Sequence, residues 1–496
     1  MVVTWTTREI YKKRSCANDD CRSKPGVPHV SRFSICAERD LPELLMASEA
    51  TQPAGTSVGL RRTLTLWDLI LYGIIVIQPT APMSVFGVLS DRGRGHVVAT
   101  ILLAMIAMLF TAISYGRMAR AYPSAGSAFT YVGQEINPAL GYVTGWSMVM
   151  DYMLNPMICI IWCSKAAMNI APSVPYFAWA IFFFLVFTGL NLRGIKTSAR
   201  VNAGLAAFMG VVITIFFVAA ARYIFGHPHD GAAFFTRPFY DPQTFRVGAV
   251  LGGTSIAVLT YIGFDGISTL SEEAENPRRN ILLATVLTCV VIGVLSAMEV
   301  YAAQLLWPAS QPFPDVDTAF VHVSGRAAGP WFFALMNLTL LVANFGSGMG
   351  AQLGAARLLF GMGRSNALPR SFFGVVDAKR RIPRNNVIFV GVIALAGAFV
   401  LSYGLGAEML NFGALIAFMG VNAAALVRYY VRADQKKLTH LLPPALGFLV
   451  CLLLWLNLSQ PAKIAGVIWM AAGIAFGAWK TRGFRRDLVN FEIPAD

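Results

Sequence analysis

Gln78-Pro79-Thr80-Ala81-Pro82 lies near the middle of an otherwise apolar stretch, residues 68–90, and its reading decides the fold. Two prolines so close together remove two backbone N–H donors and block helix continuation. A second interruption, Tyr261-Ile262-Gly263-Phe264-Asp265-Gly266, falls inside the apolar stretch 247–271, where glycines flank a charge. Around these two breaks the chain is a series of apolar stretches. They run at about 68–90, 97–121, 138–168, 174–191, 198–225, 247–271, 280–307, 328–360, 385–403, 407–430, 440–458 and 462–480. Each is long enough to cross ~30 Å of hydrocarbon with roughly 20 helical residues. Segments of alternating polarity, the mark of a membrane β-barrel, are absent, which leaves helices as the spanning element. The expected fold is an all-α polytopic membrane protein with 12 transmembrane helices.

Composition agrees. Of 496 residues, 56% are hydrophobic and 13% charged, with a mean hydropathy of +0.58. A soluble chain carries about 25% charged residues, so a soluble enzyme, a nucleic-acid binder and a disordered scaffold are excluded. The net charge of +14 reads as topology once each base is placed. With the N-terminus inside, 32 of the 40 Lys and Arg fall on inward segments and eight on outward ones: Arg92, Arg94, Lys165, Arg222, Arg237, Arg246, Arg326 and Lys463. The positive-inside rule then puts both termini in the cytoplasm and the protein in the inner or plasma membrane.

Residues 1–58 form a polar tail without a signal-peptide pattern. Cys16, Cys21, His29 and Cys36 lie in it at spacings too irregular for a zinc site. Met46 is an alternative natural start, which would leave residues 1–45 outside the product. The expected organisation continues with a ten-helix core at 60–432, in repeats of about 60–225 and 247–432. Two peripheral helices at 433–480 and a cytoplasmic tail at 481–496 follow. The two breaks are five spans apart, each in the first span of a five-helix set. Interrupted helices at corresponding positions point to an inverted-repeat transporter with its site at the bilayer midplane.

Acidic groups within hydrocarbon each require a reason. Asp68 opens the first span, where helix capping accounts for it. Asp265 lies in the break of span 6 and is the leading candidate to bind a cation or a proton; capping of the broken helix is the alternative. Asp151, in Gly145-Trp146-Ser147-Met148-Val149-Met150-Asp151-Tyr152, either faces the site or pairs with a polar neighbour. Glu299, in the outer third of span 7, belongs either to a vestibule or proton path or to the interface, reached by snorkelling. Other patterns carry less. His227-Pro228-His229-Asp230 has no fixed frame for a metal. Gly346-Ser347-Gly348-Met349-Gly350 has no preceding strand and reads as helix packing. No Walker A sequence and no catalytic constellation is present, so neither a cofactor nor an enzymatic activity is expected. Cys159, Cys163, Cys289 and Cys451 read as small buried hydrophobes.

Three stretches resemble the amino acid–polyamine–organocation transporter superfamily: Tyr122-Pro123-Ser124-Ala125-Gly126-Ser127-Ala128-Phe129-Thr130-Tyr131, Ser271-Glu272-Glu273-Ala274-Glu275-Asn276-Pro277-Arg278-Arg279-Asn280-Ile281, and Ala356-Arg357-Leu358-Leu359-Phe360-Gly361-Met362-Gly363-Arg364. The chain is most similar to bacterial proton-coupled putrescine importers. They share the pattern of Phe110-Thr111-Ala112-Ile113-Ser114-Tyr115-Gly116, the Gly-Trp-Ser and Asp-Tyr of span 3, and Gly263-Phe264-Asp265. Those importers start shortly before the basic pair Arg61-Arg62, in keeping with Met46. The resemblance implies a LeuT-like 5+5 inverted repeat in which spans 1, 3, 6 and 8 surround the substrate.

Amino acid carriers of that superfamily bind the substrate carboxylate on a glycine-rich break in span 1. Here that stretch lacks the glycines, and Pro79 and Pro82 each subtract a donor. A small cationic amine such as putrescine has no carboxylate to lose. Gln78, Thr80, Asp151, Tyr152, Tyr261, Gly263 and Asp265 are the expected substrate-binding residues. Asp265, Asp151 and Glu299 are the expected proton-coupling candidates. Two features depart from the pattern. Met209 stands where many cationic amino acid carriers have a lysine, and Glu299 has no expected counterpart in the putrescine importers. An amino acid permease or amino acid/amine exchanger is the second expectation, and a receptor without transport the third. The expected partners are the amine or amino acid, protons and the lipid bilayer, without nucleic acid. Oligomeric state has no signature in the sequence.

Overall fold

A computed structural model describes residues 64–122, 127–193, 199–229, 231–271, 274–364, 366–377, 380 and 382–483, with side chains 199–203 and 269 left aside. All belong to the second of two compact units, Gly59–Asp496. The tail at 1–58, with Met46 and its cysteines, and residues 484–496 lie outside the described residues.

Helix α1 (Leu66–Ile77) starts at a reciprocal cap. The Thr65 N–H donates to Asp68 Oδ2 at 2.9 Å, and the Asp68 N–H donates to Thr65 Oγ1 at 3.3 Å. It ends where Gln78 turns to φ +70° ahead of Pro79, and α2 (Ala81–Arg92) resumes with Pro82 in its first turn, bent 46° from α1. α3 (Val97–Ala121), the short α4 (Ser127–Glu135) and α5 (Pro138–Ile170) follow, then α6 (Tyr176–Arg193) and α7 (Ala199–Gly226). After the one-turn α8 (Ala232–Thr236), α9 (Val247–Ala257) loses its regular ladder. Its continuation is two 3₁₀ segments, Val258–Tyr261 and Phe264–Leu270, on either side of Ile262-Gly263. α10 (Pro277–Leu306), α11 (Ala319–Ala328), α12 (Pro330–Arg364), α13 (Arg370–Phe373), α14 (Arg384–Val400) and α15 (Tyr403–Leu426) come next. A π-helical turn at Val427–Val431 extends α15, and α16 (Leu438–Leu456) and α17 (Gln460–Thr481) close the chain.

Among the described residues ten helices are long and apolar enough to cross a bilayer, counting Val247–Ser268 as one, and the bent α1–α2 pair makes an eleventh. The stretch expected as a ninth span is α14, which has 17 residues. At 1.5 Å per residue it is about 25 Å long, short of the hydrocarbon thickness. Exposed Leu103, Ile106, Phe182, Val218, Val294, Leu449 and Ile468 coat the outer faces of the helices. Such a coat suits lipid contact. This is a multi-pass membrane protein.

Small residues allow the central helices to approach closely. A Cβ at Gly116 would lie 2.6 Å from Leu282 Cα, and one at Gly348 would strike Phe187 and Cys159, which gives the glycine cluster of span 8 a packing role at Gly348. Cys159, Cys163, Cys289 and Cys451 are free and buried. Asn337, the first residue of a glycosylation-like triplet, is buried and donates to the Ala166 carbonyl at 2.9 Å. At the periphery, Trp146 Nε1 donates to the Trp469 carbonyl (2.8 Å) and Trp469 Nε1 to the Trp146 carbonyl (3.1 Å), clamping α17 to α5.

Gly87 gives a test of this packing. A Cβ there would overlap the Val316 carbonyl oxygen and sit 2.6 Å from Ala319 Cβ. Overpacking against backbone costs about 1–3 kcal/mol. Gly87→Ala is therefore expected to lower the yield of monodisperse detergent-solubilised protein several-fold, as read by size-exclusion chromatography. A wild-type yield and melting profile would contradict the packing described.

Candidate substrate-binding centre

The two breaks back onto each other. Gly263 holds φ +122°, a conformation that L side chains rarely adopt, and a Cβ there would lie 3.0 Å from Val76 Cγ1 and 3.2 Å from Ile77 Cγ1. One turn earlier in α1, a Cβ on Gly73 would meet Ile267 Cδ1 at 2.6 Å and Thr288 Oγ1 at 2.8 Å. Glycine thus lets the broken strand of span 6 lie against the end of α1, and α10 closes the same junction. On one side of the bundle the Leu64–Ala274 bridge, with the Glu275 N–H donating to the Leu64 carbonyl (2.8 Å), joins the chain entering span 1 to the chain leaving span 6.

Hydrogen bonding at the first break is almost wholly internal. The Gln78 N–H bonds to Ile74 O (3.0 Å), Ala81 N–H to Gln78 O (3.1 Å) and Met83 N–H to Thr80 O (3.1 Å), while Pro79 and Pro82 have no N–H. Little remains to receive an anion. Gln78 tolerates its positive φ because its amide Nε2 donates across to the Ala343 carbonyl of α12 at 2.7 Å. Thr80 is buried, with Oγ1 4.0 Å from the Met209 sulfur of α7. Where a lysine would have placed a cation beside the break, there is a thioether.

At the second break Asp265, 5% exposed, accepts from the Gly263 N–H at 3.2 Å, and its carboxylate also faces the N–H groups of residues 265 and 266. It therefore caps the resumed 3₁₀ segment. Capping leaves the negative charge in place, because backbone donors are dipoles and not counter-ions. Asp151 on α5, also 5% exposed, enters no ion pair among the described residues. The two carboxylates lie close enough for their charges to act on each other and on the hydroxyls of Tyr115 and Tyr152. The Tyr152 ring also lies 3.3 Å from where a Cβ on Gly354 of α12 would sit. Asp151 and Tyr152 of span 3 and Asp265 of span 6 therefore share one region, with Gly354 of α12 beside Tyr152 and the end of α1 beside Gly263.

Two expected residues stand apart. Tyr261 is fully buried and donates its hydroxyl to the Ile101 carbonyl at 2.9 Å, which ties the broken segment to α3. Glu299 lies on α10, fully buried, and neither of its oxygens has a hydrogen-bond partner among the described residues. Tyr115 is the addition the sequence reading did not single out. Its ring packs edge-on against Tyr131, Phe264 and Phe418, and its hydroxyl has no hydrogen-bond partner among the described residues. The signal was present, because Tyr115 sits in the 110–116 motif quoted for its family pattern.

The charge balance of the region is clear. Ion pairs among the described residues lie towards the ends of the bundle: Arg92–Glu408 at 2.8 Å, Lys165–Asp315 at 3.2 Å, and Arg428 and Arg432 with Glu135. None lies at the breaks. Two buried carboxylates without a basic partner among the described residues favour a cationic occupant. Oxygen acceptors and aromatic faces around them suit ammonium groups. Groups able to hold a metal ion through three or more His, Cys, Asp or Glu side chains are absent among the described residues.

The amino acid permease family matches residues 82–485. The low-affinity putrescine importer PlaP of Escherichia coli (strain K12) is 34% identical over 457 residues, covering 90% of this chain and 100% of that protein. The branched-chain amino acid permease BcaP of Bacillus subtilis (strain 168) is 24% identical, covering 89% of this chain and 96% of its own length. The vacuolar cationic amino acid transporter 4 of Arabidopsis thaliana is 25% identical over 77% of this chain and 65% of its own. The broken spans, the lipid-facing coat and these matches lead to one conclusion: the chain is a membrane permease, not an enzyme, and belongs to the amino acid permease family of the amino acid–polyamine–organocation superfamily.

Proposed function

We propose that this permease is a secondary active transporter importing putrescine or a similar small cationic amine across the inner (plasma) membrane by proton symport. Its working cycle is alternating access in a LeuT-like fold of twelve spans. Two inverted five-helix repeats, about 60–225 and 247–432, form the core, helices at 433–480 flank it, and both termini are cytoplasmic. The observation that carries the substrate assignment is the pair Asp151 and Asp265, buried in one region without a basic partner among the described residues. A diamine brings two positive charges to two carboxylates. A zwitterionic amino acid brings a carboxylate to a break that has two prolines, and whose Gln78, Ala81 and Met83 N–H groups are already bonded, which leaves the Thr80 N–H to receive it. Similarity to a protein named as a putrescine importer supports the same reading.

In this reading Asp265 holds one ammonium and Asp151 the other. Gln78 and Thr80 offer oxygen acceptors, and Tyr152 and Tyr115 offer ring faces and hydroxyls. Gly263 lets the two breaks meet, and Tyr261 positions the second. The ion pairs at the ends serve the alternation: Arg92–Glu408 joins α2 to α15, and Glu135 on α4 holds Arg428 and Arg432 beyond α15. Opening each end requires its pairs to part.

An amino acid permease or amino acid/amine exchanger is the second reading, favoured by the similarity to the branched-chain amino acid permease. Competition separates them. Uptake of labelled putrescine is expected to be displaced by unlabelled putrescine and then by agmatine or spermidine, with amino acids at least tenfold weaker. Saturable uptake of an amino acid with no uptake of putrescine would replace the first reading by the second.

A further inference from the structure

One face of α10 carries polar groups that nothing satisfies. Thr288 Oγ1, Ser296 Oγ and both carboxylate oxygens of Glu299 are buried without a hydrogen-bond partner among the described residues, and all three residues are 0% exposed. At 3.6 residues per turn, Glu299 lies about 20° round the helix from Thr288 and about 16 Å further along, with Ser296 beside it. Thr288 is at the junction of the breaks, since it meets Gly73 of α1. The row therefore runs from the substrate region towards the end that the charge pattern assigns to the outside.

Burial of Glu299 removes the snorkelling alternative, because neither oxygen reaches the surface. Of the ionisable groups on elements packed against α10, Asp68, Tyr72, Tyr115, Arg117, Arg120, Tyr261 and Asp265 belong to α1, α3 and the broken span, and Asp91, Arg92, Arg222, Tyr223, His322 and Arg326 to α2, α7 and α11. None bonds to Glu299. An ionised carboxylate without hydrogen bond or counter-ion is not sustained in an apolar interior. A carboxyl held in such a setting exchanges its proton only where water reaches it.

We infer that Glu299 is the proton-coupling carboxyl of this transporter, taking a proton from one aqueous side and releasing it to the other while the amine crosses separately at Asp151 and Asp265. This rests on the proposed proton-driven amine import. Thr288 and Ser296 line the route by which water reaches Glu299. The inference separates two tasks the sequence left open among three carboxylates: two bind substrate and the third carries the proton.

The test uses purified full-length protein in liposomes and labelled putrescine, with two assays side by side. Proton-driven accumulation needs net proton movement, whereas counterflow against unlabelled putrescine needs only binding and alternation. Glu299→Gln, an isostere of the protonated acid, is expected to lose accumulation at least tenfold and to flatten its pH profile while counterflow continues. Glu299→Asp is expected to retain accumulation with a displaced pH profile. Wild-type accumulation and pH dependence in Glu299→Gln would overturn the inference, as would equal loss of both assays in Glu299→Gln and Glu299→Asp, which marks a structural role. If the wild-type protein moves no putrescine in either assay, the amine reading itself fails. The same pair of assays with the amino acid it does carry then judges Glu299 separately.

Discussion

Asp265→Asn lowers amine uptake about 100-fold or more and leaves the protein inserted and folded. The asparagine carbonyl can still accept from the Gly263 N–H, the 3.2 Å contact that caps the broken segment. The substitution therefore removes charge and keeps the cap. Losing one partner of a desolvated charge pair costs about 2–5 kcal/mol, and about 3 kcal/mol corresponds to roughly 100-fold. Labelled uptake, normalised to the amount of protein in the membrane, reads the effect. If Asp265 served the cap alone, Asn would suffice and uptake would stay near wild type.

Asp151→Asn separates diamines from monoamines. Asp151 enters no ion pair among the described residues, so neutralising it strands no counter-ion and spares the fold. With one of two carboxylates gone, a diamine loses the partner of its second ammonium. Its KM is expected to rise about 10- to 100-fold, by the same charge-pair argument applied to a more weakly held group. A monoamine of equal chain length never used that partner and is expected to compete at least as well as before. A parallel loss for both amines would instead mean that Asp151 supports the helix and not the ligand.

The sequence announced some of this and concealed the rest for physical reasons. Breaks are legible because proline and glycine act on the backbone itself. Pro79 and Gly263 stand in the breaks, Pro82 in the turn where the helix resumes, and the Thr65–Asp68 cap is equally local. Which way a side chain points inside a membrane bundle is harder to read. Helices that are apolar all round carry little amphipathic signal, so sequence gives depth but not face. Tyr261 was expected to line the site and instead donates to Ile101 of α3. The direction of Glu299 was left open, and burial of both oxygens now turns it inward. Gln78 could be read as a ligand for substrate, yet half of its amide is committed to Ala343, a contact 265 residues away that no local pattern encodes.

The net charge of the centre also depended on three-dimensional knowledge. Asp151 and Asp265 are each visible in an apolar stretch, but their shared region, and the absence of an ion pair at either among the described residues, come from the three-dimensional arrangement of α5 and the broken span. Met209 beside Thr80 completes that picture by filling, without charge, the position where a lysine was missing.

The central claim is that this permease moves a diamine, and accumulation of labelled putrescine by the purified protein in liposomes under an inward proton gradient tests it most directly. The account predicts saturable accumulation that collapses with a protonophore and falls about 100-fold in Asp265→Asn. No putrescine accumulation, alongside saturable uptake of a neutral amino acid by the same preparation, would contradict it.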